Sequence, residues 1–124
     1  FGKGLVHRVE DEDHSSAMRM TKGRPLLVTA ALWKIRADVF EAAGGFPTEY
    51  VVAYYEDADF CLRFLEAGGE IVLDDSSRWL HLEGVSKPKS ASVRCFMWLN
   101  RVHFSEKFAQ SRFLASAEDD LVLL

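Results

Sequence analysis

Three carboxylates stand together in the run Tyr54-Tyr55-Glu56-Asp57-Ala58-Asp59, directly ahead of the apolar stretch Phe60-Cys61-Leu62-Arg63-Phe64-Leu65. The pattern predicts a helix from about Glu56 to Ala67 with acids in its first turn. There they can satisfy free backbone N–H groups and meet the positive end of the helix dipole, each for about 0.3–1 kcal/mol. Helical geometry separates the three. Asp59, Arg63 and Glu66 fall on one polar stripe, so Asp59 and Arg63 can pair across a turn. Asp57 lies about 200° around the axis from Asp59. It therefore shares the flank of Phe60, Cys61 and Phe64, the side expected to be buried. A carboxylate at the edge of an apolar flank can act as a general base, taking the proton of an attacking hydroxyl. The same acids can equally be a helix cap and nothing more.

The elements around this cluster follow from apolar spacing and glycine punctuation. Leu26 to Lys34 is apolar, contains Val, Thr and Trp, and follows Gly23 and Pro25, which predicts a turn feeding a buried strand. Ile35 to Ala43 turns helical, with Ile35, Val39, Phe40 and Ala43 on one face. Gly44-Gly45 stops it, because glycine accepts the left-handed conformation of a helix C-terminus. Phe46-Pro47 resumes in extended form, and Gly68-Gly69 closes the second helix as the first pair closes the first. Gly4 to Val9 reads as a short strand, and Glu10-Asp11-Glu12-Asp13-His14 as a solvated loop. Glu70 to Asp74 and Arg78 to Leu82 read as strands around the turn Asp75-Ser76-Ser77. An amphipathic helix is expected from about Ala91 to Phe108, and a frayed tail at Glu118-Asp119-Asp120. Strands alternating with helices predict an α/β arrangement, a mixed sheet with packed helices.

Composition narrows the function classes. The chain has 124 residues, 15 basic and 19 acidic, for a formal charge of −4. A mildly acidic domain is poorly suited to gripping nucleic acid through its phosphates. Hydrophobic residues make up 48%, enough for a core and against disorder. The longest apolar stretch, Leu26 to Trp33 broken by Thr29, is too short to span a bilayer. Cys61 and Cys95 lie far apart and form no metal-type pair, so reduced thiols and a cytoplasmic setting are expected. Asp57 and Asp59 alternate as calcium-loop ligands do, but the glycine and distal glutamate of such loops are absent.

The ordered blocks Lys34-Ile35-Arg36-Ala37-Asp38-Val39-Phe40-Glu41-Ala42-Ala43-Gly44-Gly45-Phe46, Tyr55-Glu56-Asp57-Ala58-Asp59-Phe60-Cys61-Leu62-Arg63, Ala67-Gly68-Gly69 and Trp79-Leu80-His81-Leu82-Glu83-Gly84-Val85-Ser86 together resemble the C-terminal half of a family 2 glycosyltransferase. These are inverting nucleotide-sugar transferases with the A-type fold, and the resemblance runs from about Leu26 to Lys107. It implies Asp57 as the catalytic base, with Glu56 assisting or orienting the acceptor. His81 would complete the coordination of a divalent cation, Mn²⁺ or Mg²⁺, on the donor pyrophosphate. Ser86 and Lys87 would fall in the segment that covers the bound donor. Thr29, Trp33, Tyr54 and Tyr55 would contact the acceptor, although plain core packing also accounts for Trp33. Asn100, Phe104 and Lys107 match the family's following helix, which packs against the domain.

The donor-binding half of the family, with its Asp-x-Asp metal motif, has no counterpart before Leu26. Asp11-Glu12-Asp13 carries the letters but lacks the preceding apolar strand. Residues 1–124 are therefore expected to be the C-terminal portion of one glycosyltransferase domain. Within it, 1–25 is a variable strand and loop region, 26–86 the acceptor and base region, and 87–124 the C-terminal helix and tail. The implied partners are a nucleotide-diphospho-sugar donor and a glycan or lipid-linked acceptor, with most of the cation's ligands supplied by the missing half. The fragment by itself is expected to be inactive. The competing reading is a non-catalytic interaction domain derived from this fold. Arg94, Arg101 and Lys107 beside Phe96, Met97 and Trp98 would then dock on a partner or lie on anionic lipid at the inner face of the membrane.

Overall fold

The computed structural model describes residues 5–7, 27–72, 90–115 and 121–123. Along the chain come strand β1 (Leu5–His7), helices α1 (Ala37–Ala42), α2 (Glu56–Glu66), α3 (Ala91–Lys107) and α4 (Arg112–Ala115), and strand β2 (Leu121–Leu123). The short β1 falls within the strand expected from Gly4 to Val9. It pairs in parallel with β2, Leu5 opposite Leu121 and His7 opposite Leu123.

Both glycine pairs end their helices by the same device. After α1, the Gly44 N–H donates to the Glu41 carbonyl and the Gly45 N–H to that of Phe40, each at 2.9 Å. After α2, Gly68 donates to Leu65 at 3.0 Å and Gly69 to Phe64 at 2.9 Å. This crossed pair of bonds needs a left-handed residue just past the helix, and Gly44 and Gly68 supply it with φ of +81° and +88°. The Ser90 hydroxyl caps α3 by accepting from the Val93 N–H at 3.3 Å.

Among the described residues the expected mixed sheet is not seen, and with it falls the assignment to the A-type transferase fold. About half of the described residues are helical, and the only strands among them are the two three-residue segments β1 and β2. Leu26 to Lys34 was expected to be a turn feeding a buried strand, and its described part, from Leu27 on, is irregular. The physical reason lies in where its backbone groups go. The Ala30 N–H donates to Asp57 and the Val28 carbonyl accepts from the Cys61 thiol, so side chains of α2 take the place of a neighbouring strand. Glu70–Val72 is likewise irregular where a strand was expected; Arg78 to Leu82 and the acidic tail lie outside the described residues.

The core sits between α2, α3 and the turn that joins α1 to α2. Leu27, Tyr50, Tyr55, Ala58, Cys61, Leu62, Phe104 and Phe108 pack there, all buried. A second, aromatic cluster forms around Phe60, whose ring meets those of Trp33, Phe40, Phe46 and Phe64 at centroid distances of 5.3, 5.1, 5.9 and 6.0 Å. Among the described residues, no helix is long and apolar enough to cross a membrane.

Candidate functional site

The head of α2 is delivered by an unusual turn. Val52, Tyr54 and Tyr55 all have positive φ, at 69°, 80° and 78°, and none is glycine. A β-branched residue such as Val52 is rarely found there, and each such residue costs on the order of 1–3 kcal/mol. One side chain holds the turn. The Asn100 carboxamide accepts from the Val51 N–H at 3.0 Å and donates to the carbonyls of Val51, Ala53 and Tyr54 at 3.0, 2.9 and 3.1 Å. Its neighbours on the same stripe of α3 extend the grip. His103 stacks edge-on against Tyr50, Phe104 packs on Tyr55, and Lys107 reaches Glu49 and Asp59. Residues 100, 103, 104 and 107 are the helical spacing that lines one face.

Asp57 stands at the second position of α2, 9% exposed. One oxygen accepts from the Ala58 N–H at 2.8 Å and the other from the Ala30 N–H at 3.2 Å. Each oxygen keeps a second lone pair. No cation pairs with Asp57 among the described residues. One turn further along the same flank, the Cys61 thiol bonds the Val28 carbonyl, and burial pushes that thiol up to about 12. Asp57 and Cys61 therefore hold the backbone of residues 28–30 along the helix. The expectation that Asp57 faces the buried side of α2 is met.

Asp59 was expected on a polar surface stripe, paired with Arg63. The pair forms, Arg63 Nε to Asp59 Oδ1 at 2.5 Å, but Asp59 is fully buried, deeper than Asp57. Its other oxygen accepts from the Tyr50 hydroxyl at 2.8 Å and meets the Lys107 ammonium at 2.7 Å. Arg63 also donates to the Ala43 carbonyl and, at 2.7 Å, to that of Gly45, which ties the end of α1 to α2. Burial, reinforced by the bond to Asp59, pushes the Tyr50 phenol far above its ordinary range, so it stays a donor. Burial alone would lower the Lys107 ammonium, but its bonds to Asp59 and Glu49 outweigh that and leave it raised. The bond from Lys107 in turn holds the Glu49 carboxyl below its usual value.

The other expected site residues divide. Glu56 is half-buried beside Asp57, and its Oε2 is shielded from solvent with no hydrogen-bond partner among the described residues. Tyr55 is buried in the core, and Tyr54 packs against it from the strained turn. Trp33 belongs to the aromatic cluster, between Phe46 and Phe60, so its ring packs rather than presenting an open face; its Nε1 is buried without a partner among the described residues. His81, Ser86 and Lys87 lie outside the described residues, as does Asp11-Glu12-Asp13. No three His, Cys, Asp or Glu side chains gather as metal ligands among the described residues. The carboxylates of Asp57 and Asp59 are instead held by protein donors.

Sequence reasoning passed over three contributors: Tyr50, Glu49 and the clamp made by Asn100. The signal for the last was present in the spacing of Asn100, His103, Phe104 and Lys107, which put a carboxamide on the same helix face as Phe104. Compared with protein-family models, with curated proteins and with solved structures, the chain shows no match.

Proposed function

We propose that Asp57 is the general base of an inverting sugar transferase and that this chain supplies the acceptor side of its site. The observation that carries the reading is the contrast between two buried carboxylates at the head of one helix. Asp59 is neutralised by Arg63 and Lys107 and bonded by Tyr50, so it serves structure. Asp57 is held by two backbone N–H groups and, among the described residues, by no cation, which fixes its direction and leaves lone pairs free. A structural acid needs its charge matched; a base needs a lone pair at a fixed place.

In the reaction, the acceptor hydroxyl gives its proton to Asp57 as its oxygen attacks the anomeric carbon. The bond to the nucleoside diphosphate breaks with its electron pair, and the anomeric configuration inverts. Glu56, with an unpartnered oxygen, orients the acceptor hydroxyl. Thr29, next in the chain to Ala30, whose N–H bonds Asp57, adds a hydroxyl to that contact. The substrates are a nucleotide-diphospho-sugar and a glycan or lipid-linked alcohol. Residues outside those described hold the donor, along with any Mn²⁺ or Mg²⁺ on its pyrophosphate. With such a donor the reaction is cytoplasmic, in keeping with two free cysteines, Cys61 and Cys95.

A second reading, a non-catalytic interaction domain, is favoured by one observation. Trp98 is 60% exposed on α3, beside exposed Arg94. Asp57 separates the two readings. In the full-length protein, Asp57→Asn should cut nucleoside diphosphate release from UDP- and GDP-sugars by about 10²–10⁴-fold while circular dichroism stays unchanged. Undiminished turnover in a folded Asp57→Asn protein overturns the base assignment.

A further inference from the structure

We propose that Asn100 is a positioning residue for the acidic site: it locks the turn 51–55 in its left-handed form and so sets where Glu56 and Asp57 stand. What the site does rests on the transferase reading above; the hold on the turn does not.

Asn100 is 2% exposed, and every hydrogen bond of its carboxamide ends on the backbone of Val51, Ala53 or Tyr54. Between two of those anchors sits Val52, in a conformation its branched side chain resists. Val52 is 73% exposed, so it gains no burial in return. The constraint therefore comes from the backbone on either side of it, where the Ala53 N–H donates to the Val51 carbonyl at 2.8 Å and the Asn100 side chain grips both residues.

The turn ends directly on α2. Tyr55, with φ of 78°, is the residue before the helix, and its own side chain makes no capping hydrogen bond. Rotation at Tyr55 would swing the first turn of α2 and carry the Asp57 carboxylate off the Ala30 N–H. His103 and Phe104 pack on Tyr50 and Tyr55, so α3 fixes both ends of the turn while Asn100 fixes its middle. The carboxamide suits this task because it both accepts one N–H and donates to several carbonyls. Aspartate, of the same shape, has no donor to offer.

The test uses Asn100→Ala in the full-length protein, with and without Val52→Gly. Two readouts are taken on folded material: amide hydrogen exchange, and kcat and KM for nucleoside diphosphate release from UDP- and GDP-sugars. In Asn100→Ala, exchange at Val51 and at Ala30, whose N–H is bonded to Asp57, should quicken about tenfold, with the middle of α2 still protected. The kcat should fall about 100-fold at unchanged donor KM. Val52→Gly, which removes the resistance to positive φ, should recover part of the loss. If Asn100→Ala fails to fold, Asn100→Gln, which shifts the carboxamide by one methylene, carries the same comparison.

Unchanged exchange at Ala30 in folded Asn100→Ala overturns the proposal. So does an unchanged kcat in that variant when Asp57→Asn is inactive. If Asp57→Asn is itself fully active, the transferase reading fails, and exchange at Ala30 alone decides for or against the hold by Asn100.

Discussion

Asp59 and Asp57 are the same residue type two positions apart, yet their surroundings give them opposite work. Asp59 is buried with two cations and a phenol around it, and removing it would leave Arg63 and Lys107 as poorly matched charges near the core. Asp59→Ala should therefore lower unfolding free energy by about 3–5 kcal/mol, measured by urea denaturation. Asp57→Asn keeps the shape and can still accept from one of its two N–H partners, so it should cost far less stability. Half of this contrast was legible in the sequence. The Asp59–Arg63 pair lies within one helix, at a spacing that brings side chains together. The burial of Asp59 was not legible, because Tyr50 and Lys107 come from separate elements and only the fold brings them to it.

At the scale of elements, the ends of helices were readable and the sheet was not. Glycine pairs stop α1 and α2 because a left-handed residue is needed there and glycine has no Cβ to oppose it. That local rule holds whatever surrounds it. The segment from Leu26 to Lys34 had strand composition, but a strand needs a partner, and α2 offered side-chain donors and acceptors first. Gly44 carries a further constraint. A Cβ there would approach Arg63 Nη1 to 3.2 Å, at a φ of +81° that disfavours any other residue. Gly44→Ala should cost about 1–2 kcal/mol from the backbone conformation alone. Thermal unfolding of the variant checks it, and Gly68→Ala, with φ of +88° and open space around its Cβ, isolates the backbone share.

Over the whole molecule, one charge network joins the turn, α2 and α3: Glu49, Lys107, Asp59 and Arg63. Its pH dependence has a definite sign. Glu49 is held below its ordinary value of 4.5 by the bond from Lys107, so its contribution is present above that pH and is lost as pH falls through its lower folded value. Lys107 is raised above 10.5, so its contribution is complete below that pH and is lost as pH climbs through its higher folded value. Glu49 is solvent-screened, which limits its pair with Lys107 to about 0.2–1 kcal/mol. The melting temperature of wild type should exceed that of Glu49→Gln by a small margin at neutral pH. Below pH 4.5 the margin should shrink toward zero; a margin independent of pH would break the argument.

The two ties that define the site also differ in how far the chain must travel to make them. Arg63 reaches the Ala43 and Gly45 carbonyls across 20 and 18 positions, whereas Asn100 reaches Val51 across 49. Closing the longer loop costs roughly 0.8 kcal/mol more in chain entropy. The hairpin of α1 and α2 can therefore assemble early from nearby pieces. The clamp on the turn forms only once α3 has docked, so the acidic site takes its shape from contacts distant in the chain as well as near ones.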